Sequence, residues 1–269
     1  MSIFSNLNGK KLIFGLIHLK PLPGTPLFKE GNFVQALEKA LMDSKALYQG
    51  GADGCLIQTV DRIYPSGDDA DYARVSAMAI ITHEVKKATA PGFYVGAQIM
   101  WNCITPSLGV AKVAGAVFTR STALTGTTTS TYGIINADPL KVANYRKLID
   151  AQDVAIIAEI EGYHFHGFGE DTPIAQKARM AMAVGADAVE IMHRDEIINN
   201  QLVHDIKSAF PSIPVILGGG TDLSNVRSRL SEADGALVGA CFENKNWSGD
   251  IDESIVTEYM KIVRSMQKE

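Results

Sequence analysis

Cysteine is scarce in this chain. Cys55, Cys103 and Cys241 are the only three, and no two stand in a C-x-x-C spacing. That excludes a disulfide framework and a thiolate zinc site, fits a reducing compartment, and makes the cytoplasm the expected location. Long apolar runs are also missing. The longest are strand-sized, far short of the roughly 20 residues that span a bilayer, so no membrane insertion is expected. The opening MSIFSNLNGKK has neither the apolar core nor the small-residue cleavage site of a secretory leader. Positive charge is not in excess, since 25 Lys and Arg stand against 30 Asp and Glu for a net charge of −5. An acidic balance without a basic–aromatic stripe excludes nucleic acid as an expected partner. Several catalytic motifs are absent as well. There is no G-x-S-x-G elbow, no G-x-G-x-x-G, no P-loop, and no strand that ends in lysine. These gaps argue against a serine hydrolase, a classical dinucleotide or NTPase site, and a Schiff-base aldolase.

What is present is a repeat of strands and helices. Leu12 to Leu19 is apolar throughout, as a strand buried on both faces should be. Helical spacing follows over 32–49, stopped by Gly50 and Gly51. Further strands are expected at 53–58, 93–100, 116–121, 154–161, 186–192, 213–217 and 236–238. Helices are expected at 71–88, 108–115, from Pro139 with Asp138 as its cap, 173–185, 196–210, 222–230 and 251–266. The stretch 122–139 is the longest irregular segment, and a loop of that length is functional or mobile. Helix stops followed at once by buried strands recur as GGADG, VGADAV and SEADGALVG. Eight such units without a linker predict an α/β fold, a (β/α)₈ TIM barrel forming a single domain over 1–269. An open doubly wound sheet is the alternative.

In a barrel the site lies at the C-terminal ends of the strands. The last two strands end in glycine, at Gly218, Gly219 and Gly220 and at Gly239 followed by Ala240. Glycines let the backbone approach an anion, and free amides donate to it, so these five residues are the expected phosphate grip. A helix beginning at Asp222 would add its dipole. The other strand ends supply His18, Gln58, Asp61, Gln98 and Asn102. They also supply Arg120, Glu159, Glu161, Glu190 and His193. In 154–161, Ala155, Ile157, Glu159 and Glu161 share the face that should point into the barrel. Arg120 on the neighbouring strand is the partner that buried carboxylates require. Glu159 with Arg120 reads either as a core-fixing ion pair or as a catalytic or metal-binding group. His164 and His166, two apart beside Glu161, read either as a divalent-metal site or as a solvated loop. Cys241 reads as a small buried residue or as a nucleophile.

With these residues placed, the chain resembles the BtpA/SgcQ family of ribulose-phosphate-binding-type barrels. The resemblance rests on GLIHLKPLPGTP, GGADG, FTR with Arg120, LTG and YGII, Tyr145–Arg146, and VILGGGTDLSNV with ADGALVG. It covers nearly the whole chain. His18, Gln98, Asn102, Arg120 and the terminal glycines match polar positions of that family. Trp101 and Cys103 depart from it, standing where an Arg and an Asp are common, and Gln58 stands where an acidic residue is usual. The resemblance and the residues together lead to two expectations. One is an enzyme on a small phosphorylated metabolite, a sugar phosphate or phosphoribosyl compound, of isomerase, epimerase or lyase type. In it His18, Glu159 and Glu161 move protons, Arg120 and Asn102 assist, and Gln58, Gln98 and Glu190 bind substrate. The other is a non-catalytic biogenesis, assembly or regulatory factor on the same scaffold. Barrels of this type are often homo-oligomers, and no stretch of the sequence marks an interface.

Overall fold

The computed structural model describes residues 2–5, 7–60, 62–165, 167 and 171–266. Asp61 and His166 lie outside the described residues. The barrel strands in chain order are β1 (Leu12–His18), β2 (Gly54–Gln58), β3 (Tyr94–Gln98), β4 (Phe118–Ser121), β7 (Ala155–Glu161), β8 (Ala188–Ile191), β9 (Val215–Leu217) and β10 (Gly235–Val238). They pair in parallel and close into one barrel, with β1 against both β2 and β10. Between β4 and the next helix, β5 (Thr127–Ser130) and β6 (Gly133–Asn136) form a separate antiparallel hairpin. The helices are α1 (Asn32–Gln49), α2 (Tyr72–Ala88), α3 (Ile104–Ala114), α4 (Pro139–Leu148), α5 (Ile174–Ala183), α6 (Glu196–Ala209), α7 (Val226–Arg229) and α8 (Glu253–Met266). Among the described residues no helix is long and apolar enough to cross a membrane.

Alternation along the strands builds two cores. Inward positions such as Phe14, Leu56, Phe118, Ile157, Ile216 and Leu237 fill the barrel, with Phe4 from the N-terminal segment packed against them. Phe14 and Phe118 lie 4.7 Å apart, ring centre to ring centre. Outward positions, among them Ile13, Ile57, Val95, Ile156, Val189 and Val215, meet the helices in the larger core. The expected division of 154–161 therefore holds for Ala155 and Ile157 against Val154, Ile156, Ala158 and Ile160.

Three expectations change. α3 starts at Ile104, not Leu108, because Pro106 falls in its first turn, where a missing N–H costs nothing. The helix expected over 222–230 shrinks to the four residues of α7. Asp222 accepts from the Ser224 amide and hydroxyl, and Asn225 accepts from the Asp222 amide, so side chains replace the first helical turn. The segment expected as irregular holds the β5–β6 hairpin, whose threonine and isoleucine residues suit a strand.

At the opposite end of the barrel, Asp53 gathers both ends of the fold. It accepts from the Ile13 amide at 3.0 Å, pairs with Lys10 at 2.9 Å and with Arg264 of α8 at 2.8 Å.

Candidate active site at the barrel mouth

The C-terminal ends of the strands open into a cavity of about 580 Å³, within the range of small-molecule sites. Gly218, Gly219, Gly220, Gly239 and Ala240 all line it. Gly219 and Gly220 have φ of 144° and 74°, a backbone that side chains resist. Among the described residues the amides of Gly219, Gly220, Gly239 and Ala240 meet no acceptor. Gly218 differs, because its N–H donates to the Ile191 carbonyl at 2.9 Å and continues the sheet. It is glycine for another reason: a Cβ there would sit 2.0 Å from Glu190 Oε1. With α7 only one turn long, the helix dipole expected at Asp222 is not available. The Asp222 carboxylate lies at the cavity edge, and its pKa is lowered first by the Ser224 hydroxyl. Behind the loop, the fully buried Tyr259 of α8 donates its hydroxyl to Thr221 at 2.9 Å and ties the glycines to the last helix.

His18 ends β1 and lines the cavity. Its Nδ1 lies 2.6 Å from Glu243 Oε1, and both side chains are buried. Gly239 makes this placement fit, since a Cβ on it would stand 3.0 Å from His18 Cε1. Glu243 Oε2 has no partner among the described residues. Glu243 was not expected from the sequence. It lies beyond β10 in a turn, where the strand-end rule does not look, and its one signal is an acid directly after the apolar stretch that ends at Phe242.

Arg120 sits between two carboxylates. Its Nε donates to Glu190 Oε2 at 2.5 Å, and its Nη2 to Glu190 Oε1 at 2.5 Å and to Glu159 Oε2 at 3.0 Å. Burial opposes the arginine charge, but the Glu190 and Glu159 carboxylates outweigh it and push its pKa up. Burial would also raise Glu159, yet Arg120 and His164 hold it below the ordinary value. Glu190 is held above the ordinary value by burial, with Glu159 adding to it against Arg120. The two-point fork on Glu190 is the geometry of an ionised carboxylate. One guanidinium thus serves two acids, with Glu190 held above the ordinary value and Glu159 below it. Arg120 Nη1 has no partner among the described residues, and the side chain reaches the cavity. The core-fixing ion pair is therefore present as a three-membered network.

Glu161 leaves this group. The β7–β8 register shifts between Glu159 and Glu161, and Glu161 turns to Lys177 of α5 at 3.3 Å. His164 stays, with its amide donating to Glu159 Oε1 at 3.0 Å. Its Nδ1 lies 3.2 Å from Arg120 Nη2 and 3.3 Å from Glu159 Oε2. Among the described residues no three His, Cys, Asp or Glu side chains are placed to hold a metal. Gln58 lines the cavity and donates to Gln98 Oε1 at 2.7 Å, while Gln98 lies beneath it. Asn102 does not face the cavity. Its Oδ1 accepts from the Ala123 amide at 2.8 Å and its Nδ2 donates to the Ala123 carbonyl at 3.1 Å, clasping the start of the hairpin segment. His193 sits outside the cavity, over the cap of α6. Cys241 lines the cavity, but burial raises its pKa away from the thiolate a nucleophile needs.

A parallel eight-stranded barrel with its cavity among glycine-ended strands places the chain in the TIM-barrel class. The chain belongs to the BtpA family, whose model matches residues 9–267. It is 28% identical over 267 residues to the Photosystem I biogenesis protein BtpA of Synechocystis, covering 95% of this chain and 87% of that protein. Among solved structures it is similar to tryptophan synthase from M. tuberculosis, with a TM-score of 0.66 at 13% identity over 98% of this chain and 100% of the other. Thiamine phosphate pyrophosphorylase from Pyrococcus furiosus gives a TM-score of 0.58 at 16% identity, covering 97% and 98%. At such identities the structural likeness concerns the fold.

Proposed function

We propose that this barrel is an enzyme acting on a small phosphorylated metabolite, a sugar phosphate or phosphoribosyl compound. The observation that carries the reading is the charge of the cavity. In a chain of net charge −5, Arg62, Lys245 and Arg120, the last paired with Glu159 and Glu190 behind it, are the cationic side chains among the described lining residues, against the carboxylate of Asp222. The unengaged amides of Gly219, Gly220, Gly239 and Ala240 add four donors. Such a lining favours a dianionic phosphate. A structural neighbour whose name includes thiamine phosphate supports the same reading.

His18 is the proton-transfer group, held by Glu243 so that Nε2 faces the cavity, and Arg120 Nη1 holds an anionic oxygen. Acid–base and anion-holding groups of this kind suit an isomerase, epimerase or lyase. Glu159 and Glu190 act through Arg120 as positioning residues. The hairpin covers the mouth, with Tyr132 reaching the cavity and Thr128 donating to the His164 carbonyl at 3.1 Å. It is the proposed lid. A cytoplasmic, homo-oligomeric enzyme completes the reading, and sedimentation measures the oligomer.

Crystals soaked in phosphate or sulfate test the site. The anion is expected on the four amides, and an anion bound elsewhere with the glycines bare sinks the assignment. His18→Ala should then lower turnover about 10²–10⁴-fold while the anion still binds.

A second reading has its own observation. Arg120, Glu159, Glu190 and Asn102 all have structural partners, and the Synechocystis relative is named for biogenesis. On this reading the barrel is an assembly or regulatory factor, and folded His18→Ala keeps full biological activity.

A further inference from the structure

Both tryptophans of the chain line the same cavity. The barrel interior does not require them there, since phenylalanine and aliphatic side chains fill it. Trp101, just past β3, is ringed by Tyr64 at 5.9 Å, Tyr132 at 5.2 Å and His164 at 4.6 Å. These rings come from different loops and converge only at the mouth. Their planes meet that of Trp101 at 41°, 59° and 83°, so none of the three stacks parallel on its face. Tyr64, Trp101 and Tyr132 are half-buried, although each borders the cavity. The Trp101 Nε1–H is shielded from water and has no acceptor among the described residues. Trp247 is differently placed, with His18 at 5.7 Å and the Arg62 guanidinium over its ring at 5.0 Å. Its face is already taken, which leaves Trp101 as the open platform.

Resting on the phosphate reading above, we propose that the ligand is a phosphate monoester that carries a planar, aromatic or heteroaromatic ring. The phosphate occupies the glycine amides, and the ring lies on Trp101 with Tyr64 and Tyr132 at its rim. Offset stacking accepts any planar π system, and aromatic platforms bind bases in this way. A simple sugar phosphate would leave this wall uncovered.

Calorimetry with four probes separates the two ideas: inorganic phosphate, ribose 5-phosphate, adenosine and adenosine 5′-monophosphate. The monophosphate of adenosine is expected to bind at least tenfold tighter than ribose 5-phosphate. Trp101→Leu should remove that increment and leave ribose 5-phosphate binding unchanged. In Trp247→Phe, where Trp101 is the sole indole, the ring-bearing phosphate should quench fluorescence and ribose 5-phosphate should not. Equal affinity for the two phosphates overturns the ring platform and leaves the phosphate site standing. So does a Trp101→Leu variant that weakens both equally, because Trp101 then only props the hairpin. If adenosine binds as tightly as its monophosphate, the phosphate reading falls and the platform stands. If no probe binds the folded protein, both are refuted.

Discussion

Replacing Arg120 by Met removes the one cation between two buried carboxylates while keeping most of the side-chain volume. Glu159 and Glu190 are then left in the core with no counter-charge. Removing one partner of a buried pair costs about 3–5 kcal/mol, and the source of the cost can be worked out here. An uncompensated buried carboxylate escapes by taking a proton. From an ordinary value of 4.5, at 1.36 kcal/mol per pH unit, that costs about 3.4 kcal/mol at pH 7 and about 0.7 kcal/mol at pH 5. Protonating one or both acids therefore destabilises the variant by about 3–7 kcal/mol at pH 7 and about 1 kcal/mol at pH 5. In the variant both folded pKa values rise above the unfolded 4.5. The penalty is then absent below that value and grows as pH rises towards the folded values. Urea denaturation of both proteins at pH 5, 6 and 7 reads it. A loss growing by about 1.4 kcal/mol per pH unit for each proton taken up is expected, and a variant unfolded at pH 7 but folded at pH 5 agrees. A loss under about 1 kcal/mol at pH 7, or one independent of pH, would show that the network does not hold its charges as described.

Gly239→Ala should push His18 aside, because the new Cβ meets its ring at 3.0 Å and Leu16 at 3.2 Å. The expected cost is about 1–3 kcal/mol in a thermal melt, with turnover falling far more than stability; an unmoved His18 in a crystal structure of the variant would contradict this. Asn102→Ala strips both hydrogen bonds from Ala123 and should cost about 1–3 kcal/mol, with faster hydrogen exchange confined to the hairpin segment. Thiol alkylation of the native protein at pH 8 should be slow at every cysteine. Burial pushes Cys103 up to about 12 and Cys55 further, while Cys241 is half-buried in the cavity. Cys241 should react first and be protected by a bound phosphate compound, and prior labelling of Cys55 or Cys103 would contradict the burial.

The barrel was legible because its signals are local. Flat apolar runs such as Leu12 to Leu19 and glycine stops such as GGADG need no tertiary information to be read. The inward face of β7 followed from period two as far as Glu159. It failed at Glu161, where pairing with β8 slips by one residue and no sequence pattern marks the slip. Glu243 was invisible for a related reason. It lies in a turn, and its meeting with His18 joins positions 225 residues apart. Asn102 was found as a polar strand-end residue, but its role depends on where Ala123 goes. The mouth aromatics share this difficulty, because Tyr64, Trp101, Tyr132 and Trp247 reach one cavity only when separate loops fold together.

The Asp53 node has a consequence for how the chain can be handled. Residues 10 and 264 are held to one carboxylate on the face opposite the cavity. The backbone is thus almost a closed loop, joined at its floor. A short linker could make the ring covalent, and new ends could be cut into an exposed helix–strand turn on the floor. Such a rearranged chain should keep the mouth unaltered.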